Sequence, residues 1–490
     1  MTELTLETPT RLRIVTDMSH DILKTMLTYR DKKIDFELQK FRHATWYADK
    51  FGREAYDEKM AALKASRIKC LLFEDDQGLW TYSGMATALK QQLRCEVKSL
   101  VKLPRFHQVL PWAGVPFPPY PYQQAALEKL MEQPHAAVEM GTGLGKTLII
   151  AYLVKELGLK TVIMAPSVSI ARQIYENFGK WMGKKYVGLF GDGRKDVDKR
   201  IIVGIAASLT KVAPESAPGR ALAASECFIA DESHLCPAST LAKVCYGLLA
   251  PATHRYFFSA TQMRNDGLDM LLDSITGPVV YRMTVREGIN QGYLAKLGFT
   301  MVNLRSDSSF ESRDINAMTR KHLYYNPLVN AWAARLANKF ASQGKQVLIL
   351  VDEIEQFTHL LPYLRHDCGF AHGGTNPDVL PAQYQKSDPG ALVDRFNEGK
   401  LPILIGTSCV SIGTDIKANQ ATINLRGGKS EIEVAQGPIG RSTRLHPPVG
   451  KTSCEIIDFN VFNVPAMKRH ADSRQAIYAS TGAQVKEWNV

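Results

Sequence analysis

The chain has 490 residues, of which 45% are hydrophobic and 22% charged, enough for more than one domain and a sizeable core. Its formal charge of +11 favours a polyanionic partner or an acidic surface. No apolar run approaches the ~18 residues that span a bilayer, and the polar, acidic start Met1–Glu7 does not read as a signal peptide. A chain without a membrane partner is expected, and eight cysteines with no C-x-x-C pair are expected to be reduced, mostly buried thiols.

Residues 1–105 carry 19 lysines and arginines against 15 acids. Lys69 to Phe73 reads as a strand, residues 74–78 as a turn and Leu79 to Tyr82 as the returning strand, after which Ser83 and Gly84 open a helix to Leu93. Upstream, Phe41, Trp46, Tyr47, Phe51 and Tyr56 interleave with Lys40, Arg42, Lys50 and Arg53. Aromatics among cations suit stacking on nucleobases; the same spacing also suits amphipathic helices whose rings are core. A small α+β accessory domain is expected here. Six prolines between Pro104 and Pro121 then make residues 106–119 an extended linker.

From residue 120 to 290 strand and helix alternate, as a parallel sheet covered on both faces requires. The short apolar run to Val138 leads into Gly141, Thr142, Gly143, Leu144, Gly145, Lys146 and Thr147, and an apolar helix follows at once. This is strand, phosphate loop, helix: glycines let backbone N–H groups wrap a polyphosphate, Lys146 adds a point charge, and Thr147 can offer a hydroxyl to Mg²⁺. Met140 stands where the strict loop pattern has its first glycine. Further strands are expected at Thr161 to Ala165, near 186–190 and 200–205, at Cys227 to Ala230 and at Arg255 to Phe258. Residues 291–465 repeat the alternation without a phosphate loop, with strands at 346–351, 402–405, 421–425 and 454–459 and a helix across 430–441. Residues 466–490 read as a mobile or docked helical tail.

A phosphate loop needs a carboxylate for the metal, a base for water and cations for developing charge. Asp231 and Glu232 end an apolar strand, whose carboxyl end faces the loop in a doubly wound sheet. Asp231 suits Mg²⁺, with Thr147, and Glu232 suits the attacking water. Gln436, Arg441 and Arg444 meet the third need, the two arginines sharing a face if the segment is helical. They come from the second half of the chain, which predicts an ATP site in a cleft between two domains.

This assembly resembles superfamily 2 helicases and translocases over residues 120 to about 460. Tyr120 to Gln123 resembles the adenine-reading Q motif, and 140–147 motif I. Pro166, Ser167 and Arg172 resemble motif Ia, and Ser208 the next strand-contacting motif. Asp231-Glu232-Ser233-His234 resembles the DEAH box, Ser259-Ala260-Thr261 motif III, Thr407 to Asp415 motif V, and 436–444 motif VI. Such a set of blocks in the correct order is specific. One departs from the pattern: Gln436 lies four residues before Gly440 rather than three.

The resemblance implies two tandem RecA-like parallel-sheet domains behind the N-terminal accessory domain, with ATP and Mg²⁺ as cofactors. It implies nucleotide contacts at Gln123, at 141–147 and at Gly413 and Asp415. Coupling would fall to Ser259 and Thr261, and nucleic-acid contacts to Pro166, Ser167, Arg172, Ser208 and Thr407. The stretch 259–269 and residues 287–294 are most similar to the phage branch-migration (UvsW) type. That implies a monomeric cytoplasmic motor of a bacterial or phage-infected cell, remodelling forked and four-way DNA. An RNA-directed helicase of the same fold and the motor subunit of a restriction system remain alternatives. A dead-ATPase scaffold is disfavoured by the intact Lys146, Asp231, Glu232, Arg441 and Arg444.

Overall fold

The structure is a computed structural model. It describes residues 2–104, 118–236, 238–260, 269–373, 377–407, 416–428 and 434–490, the side chains of 32, 33, 269, 377, 435 and 436 excepted. Residues 1–140 and 146–282 form one compact unit, and residues 141–145 and 283–490 form another.

The first unit begins with a small α+β module. Its strands are β1 (Glu3–Thr8), β2 (Arg11–Val15), β3 (Thr28–Arg30), β4 (Ile68–Cys70), β5 (Phe73–Asp75), β6 (Gly78–Tyr82) and β7 (Val97–Ser99). Five of them make a sheet in the order β5-β6-β2-β1-β7, and β3 pairs with β4. Leu4, Leu12 and Ile14 point from β1 and β2 onto Leu23 and Leu89. Arg13, 5% exposed, is held by Glu7 at 2.8 Å and Asp75 at 2.6 Å, which pins the β5–β6 turn to β2. The helices Lys32–Arg42, Thr45–Phe51 and Arg53–Ser66 are inserted between β3 and β4. The expected strand over 69–73 is two short strands, broken at Leu71, whose side chain enters the core.

The same unit carries an eight-stranded sheet: β8 (His135–Met140), β9 (Thr161–Ala165), β10 (Val187–Gly191), β11 (Arg194–Lys195), β12 (Ile201–Ile205), β13 (Cys227–Ala230), β14 (His254–Ser259) and β15 (Val279–Met283). The order is β11-β10-β12-β9-β13-β14-β8-β15. Pairing is parallel from β10 through to β8, and β9, β12, β13 and β14 are buried along their whole length. Strands covered by helices on both faces read as continuous apolar runs, which is why they are legible in the sequence. The module packs on this sheet's helices: Tyr82 stacks on Tyr246 at 4.0 Å between ring centres, and the Tyr246 hydroxyl donates to the Ser274 carbonyl.

The second unit holds seven strands: β16 (Lys296–Leu304), β17 (Val347–Leu350), β18 (Cys368–Ala371), β19 (Ile403–Gly406), β20 (Ala421–Asn424), β21 (Ser453–Val461) and β22 (Val485–Asn489). They lie in the order β18-β19-β17-β20-β21-β16-β22, every pair parallel. The segment expected as a tail is integral to this sheet. Its helix Pro465–Ser480 buries Met467, Ala471 and Tyr478, and β22 extends the sheet beside β16. The buried Arg474 grips Asp458 on β21 at 2.9 Å, an ion pair that fixes this helix to the sheet. The expectation of two parallel-sheet domains and a small α+β domain holds. No described helix is long and apolar enough to cross a membrane.

Candidate nucleotide site and nucleic-acid edge

Lys146 opens the helix Lys146–Leu157 after a loop that reaches positive φ at Gly143 (92°) and Gly145 (78°), where a side chain would be strained. Its ammonium is 7% exposed and lies 3.1 Å from Glu232 Oε1, while donating to the Met140 carbonyl at 3.2 Å. Met140, standing at the pattern's first glycine, meets Lys146 through its backbone oxygen, which any residue would offer. It ends β8 with its side chain buried, and only its backbone oxygen serves the loop.

Asp231 and Glu232 follow β13, as predicted. Asp231 is buried, and burial followed by the neighbouring Glu232 raises its carboxyl pKa, against the pull of Lys146. The cost of a buried carboxylate is what a cation relieves, so Asp231 suits Mg²⁺, with the Thr147 hydroxyl and phosphate oxygens completing an oxygen set. Glu232 holds φ +48°, a left-handed backbone that is unusual for a glutamate and common where geometry serves chemistry. Its Oε2 is buried with no hydrogen-bond partner among the described residues. An acceptor so placed can orient a water.

Two bonds tie this corner to β14. Ser233 donates to the Phe258 carbonyl at 3.3 Å, and the Ser259 hydroxyl lies 2.9 Å from His234 Nδ1, both side chains buried. Ser259 thus touches the acidic box itself. Thr261, its expected partner in coupling, lies outside the described residues, as do Gly413 and Asp415. Gln123 is buried near the start of the helix Pro121–Met131, and its Oε1 accepts from the Tyr120 N–H at 3.0 Å, a helix-capping role that sequence reading did not assign.

The nucleic-acid candidates of the first unit cluster at the carboxyl ends of β9, β12 and β10, which are neighbours. Pro166 and Ser167 follow β9, and Ser167 caps the helix Val168–Phe178 by accepting from Ile170 N–H at 3.4 Å. Ser208 follows β12 and lies beside Gly191, where a Cβ would come within 2.7 Å of its hydroxyl. Arg172 is ion-paired at 2.5 Å with Asp192, in the turn after β10. Asp192 is a partner that sequence reading missed, although the Gly191-Asp192-Gly193 turn marks it. Thr407, in the second unit, is buried after β19, and its N–H donates to the Ala371 carbonyl at 3.2 Å.

Also in the second unit, residues 435–439 form a π turn containing Pro438, followed by the short helix Gly440–Ser442. The wide turn absorbs the one residue by which 436–441 exceeds the family spacing. The side chain of Gln436 lies outside the described residues. Arg441 is 6% exposed and Arg444 half-buried; burial lowers both guanidinium pKa values to about 10, leaving them cationic at neutral pH.

The aromatics of the N-terminal insertion divide. Phe41 is buried and stacks on Tyr56 at 4.9 Å, whereas Trp46 and Phe51 are 59% and 52% exposed. Lys59 lies over Phe41 and Tyr47, Lys50 over Phe51 and Arg53 over Tyr56.

Residues 116–264 match the family model of the type III restriction enzyme res subunit, and residues 331–446 match the helicase conserved C-terminal domain. A DNA 3'-5' translocase XPB2 of Sulfurisphaera tokodaii is 28% identical over 178 residues, 36% of this chain and 38% of that protein, so the match spans well under half of the curated relative. The structure of Saccharomyces cerevisiae Dbp5 bound to RNA and ADP BeF3 is similar at TM-score 0.53 and 17% identity, covering 76% of this chain and 90% of that one. T4 UvsW aligns over 99% of both chains at 15% identity and TM-score 0.41. With both family models in order and together over more than half of its residues, the chain belongs to the superfamily 2 helicases.

Proposed function

We propose that the chain is an ATP- and Mg²⁺-dependent motor that moves on DNA and remodels forks and four-way junctions. The observation that carries the motor reading is the buried Lys146–Glu232–Asp231 group, with Glu232 held in a left-handed conformation and Ser259 bonded through His234 to the same corner. The metal, when bound, neutralises phosphate charge and orients the phosphoryl group. Lys146 binds β/γ-phosphate oxygens, which draws it from Glu232. Glu232 Oε1 then becomes available beside Oε2, and the carboxylate can orient water and accept its proton. Arg441 and Arg444 stabilise the charge that develops on the transferred group. Ser259 relays the state of the acidic box through His234.

DNA is favoured by the net charge of +11 and by the translocase relative. Contacts from Ser167, Ser208, Arg172 and Thr407 would meet phosphates and read no sequence. The preference for branched DNA rests on the resemblance of 259–269 and 287–294 to the branch-migration type. The N-terminal module, fixed to the first sheet through Tyr82 and Tyr246, is the part suited to select the junction.

ATP turnover and strand separation measured on single-stranded, duplex, forked and four-way DNA and on RNA test the reading. The forked and four-way DNAs are expected to stimulate most. Equal stimulation by RNA would support an RNA-directed helicase instead. A restriction-system motor is favoured by one observation, the family model over 116–264. It predicts translocation on long duplex DNA without preference for junctions.

A further inference from the structure

Lys451 is 1% exposed, and among the described residues its ammonium meets no carboxylate. Nζ donates instead to three neutral oxygens: the Lys417 carbonyl at 2.9 Å, Asn419 Oδ1 at 3.0 Å and the Arg441 carbonyl at 3.4 Å. An ammonium has three protons, and here each has an acceptor. Lys417 and Asn419 lie just beyond motif V, and Arg441 is in motif VI. One cation therefore joins the stretch just beyond motif V to motif VI.

The join continues in side chains. Asn419, fully buried, donates through Nδ2 to Thr422 Oγ1 at 2.8 Å and to Ser442 Oγ at 3.3 Å. Thr422 and Ser442 hydroxyls lie 2.9 Å apart, and Ser442 donates to the Pro438 carbonyl at 2.6 Å inside the π turn. Asn397 accepts from the N–H groups of Lys417 and Ala418 at 2.8 and 3.2 Å, holding the same stretch from the other side. A buried charge without a counter-charge costs stability that an apolar residue would not. What it provides here is a fixed point between two segments that the motor must move together.

We propose that Lys451 is a positioning residue for the arginine pair, tying the stretch just beyond motif V to motif VI through the Lys417, Asn419 and Arg441 oxygens. The proposal rests on the reading that Arg441 and Arg444 act on the nucleotide. The ionisable groups facing Lys451 are Arg444 and Cys454, and burial lowers the ammonium pKa to about 8. A fixed point that must stay protonated then loses its third donor as pH rises through that range.

The test compares wild type with Lys451→Met, which keeps the aliphatic stem and removes the donors. DNA-stimulated kcat is expected to fall tenfold or more, with KM for ATP and DNA affinity within twofold of wild type. Wild-type kcat is expected to decline between pH 7 and pH 9.5, and this alkaline decline is expected to be absent from the residual activity of Lys451→Met. Unchanged kcat in the variant overturns the proposal. If Lys451→Met does not fold, the wild-type profile decides: a kcat level across that pH range overturns it. Arg444→Ala run alongside separates the two ideas. If Arg444→Ala turns over normally, the arginine reading fails; if Arg444→Ala is inactive and Lys451→Met is normal, only the positioning role fails.

Discussion

At Lys146, Glu232 and Asp231, burial converts ordinary side chains into a poised set. Lys146→Ala is expected to abolish ATP turnover. Glu232→Gln should bind ATP and not hydrolyse it, which filter binding with labelled ATP beside a turnover assay would show; normal turnover would remove Glu232 from the base role. Asp231 makes a different prediction. Its folded-state pKa is raised, chiefly by burial, so the folded chain holds this proton more readily than the unfolded one. The stability it contributes is present at acid pH and is lost as pH rises through the folded pKa. Asp231→Asn retains an oxygen for the Glu232 N–H, which now donates to Asp231 Oδ1 at 3.0 Å, and abolishes the charge. In the absence of nucleotide and metal its melting temperature should exceed wild type at pH 8 by about 1–3 °C, and the gap should close toward pH 5. The same proton competes with Mg²⁺, so wild-type affinity for Mg²⁺–ADP should weaken as pH falls below neutral.

Among the elements, legibility followed burial. Strands β9, β12, β13 and β14 are apolar throughout and stand out against their polar turns, and motif residues sit at their carboxyl ends because parallel sheets present loops there. Short or edge strands with mixed residues, such as β7, β11 and β22, gave no period to read. The extra residue in motif VI was visible in the sequence, but the π turn that accommodates it depends on the packing around Pro438 and Ser442. Lys451 and Asn419 belong to no family block, and their convergence is purely tertiary. Docking of the N-terminal module was likewise illegible, because it is purely tertiary: Tyr82 stacks on Tyr246, and Gly84 closely approaches the helix at 273–274. A Cβ at Gly84 would lie 2.6 Å from the Asp273 carbonyl oxygen and against that of Ser274. Gly84→Val should therefore destabilise the chain by about 1–3 kcal/mol in urea unfolding, through the strain of overpacking, whereas Gly78→Ala, which a Cβ would leave uncrowded but at φ +112°, reports backbone strain alone.

At the scale of the whole molecule, the net charge and the exposed rings predict two separable terms in DNA binding. Charge acts through phosphates: each lost contact lowers the slope of log affinity against log salt by roughly 0.9 on duplex DNA, whatever the sequence. Stacking acts through bases, is worth about 1–3 kcal/mol per base, and leaves that slope alone. Trp46 and Phe51 are exposed rings whose loss removes no core, since the insertion is held by Phe41, Leu38 and Met60. Trp46→Ala with Phe51→Ala should therefore weaken binding to forked or four-way DNA about tenfold, with an unchanged salt slope and little effect on fully paired duplex. Deleting residues 1–105 should weaken junction binding more than single-strand binding. If the two ring variants lower the salt slope and weaken duplex and junction equally, Trp46 and Phe51 do not meet unpaired bases, and branch preference must come from the lobes. If they leave binding untouched while the deletion abolishes junction preference, selection lies elsewhere in the module.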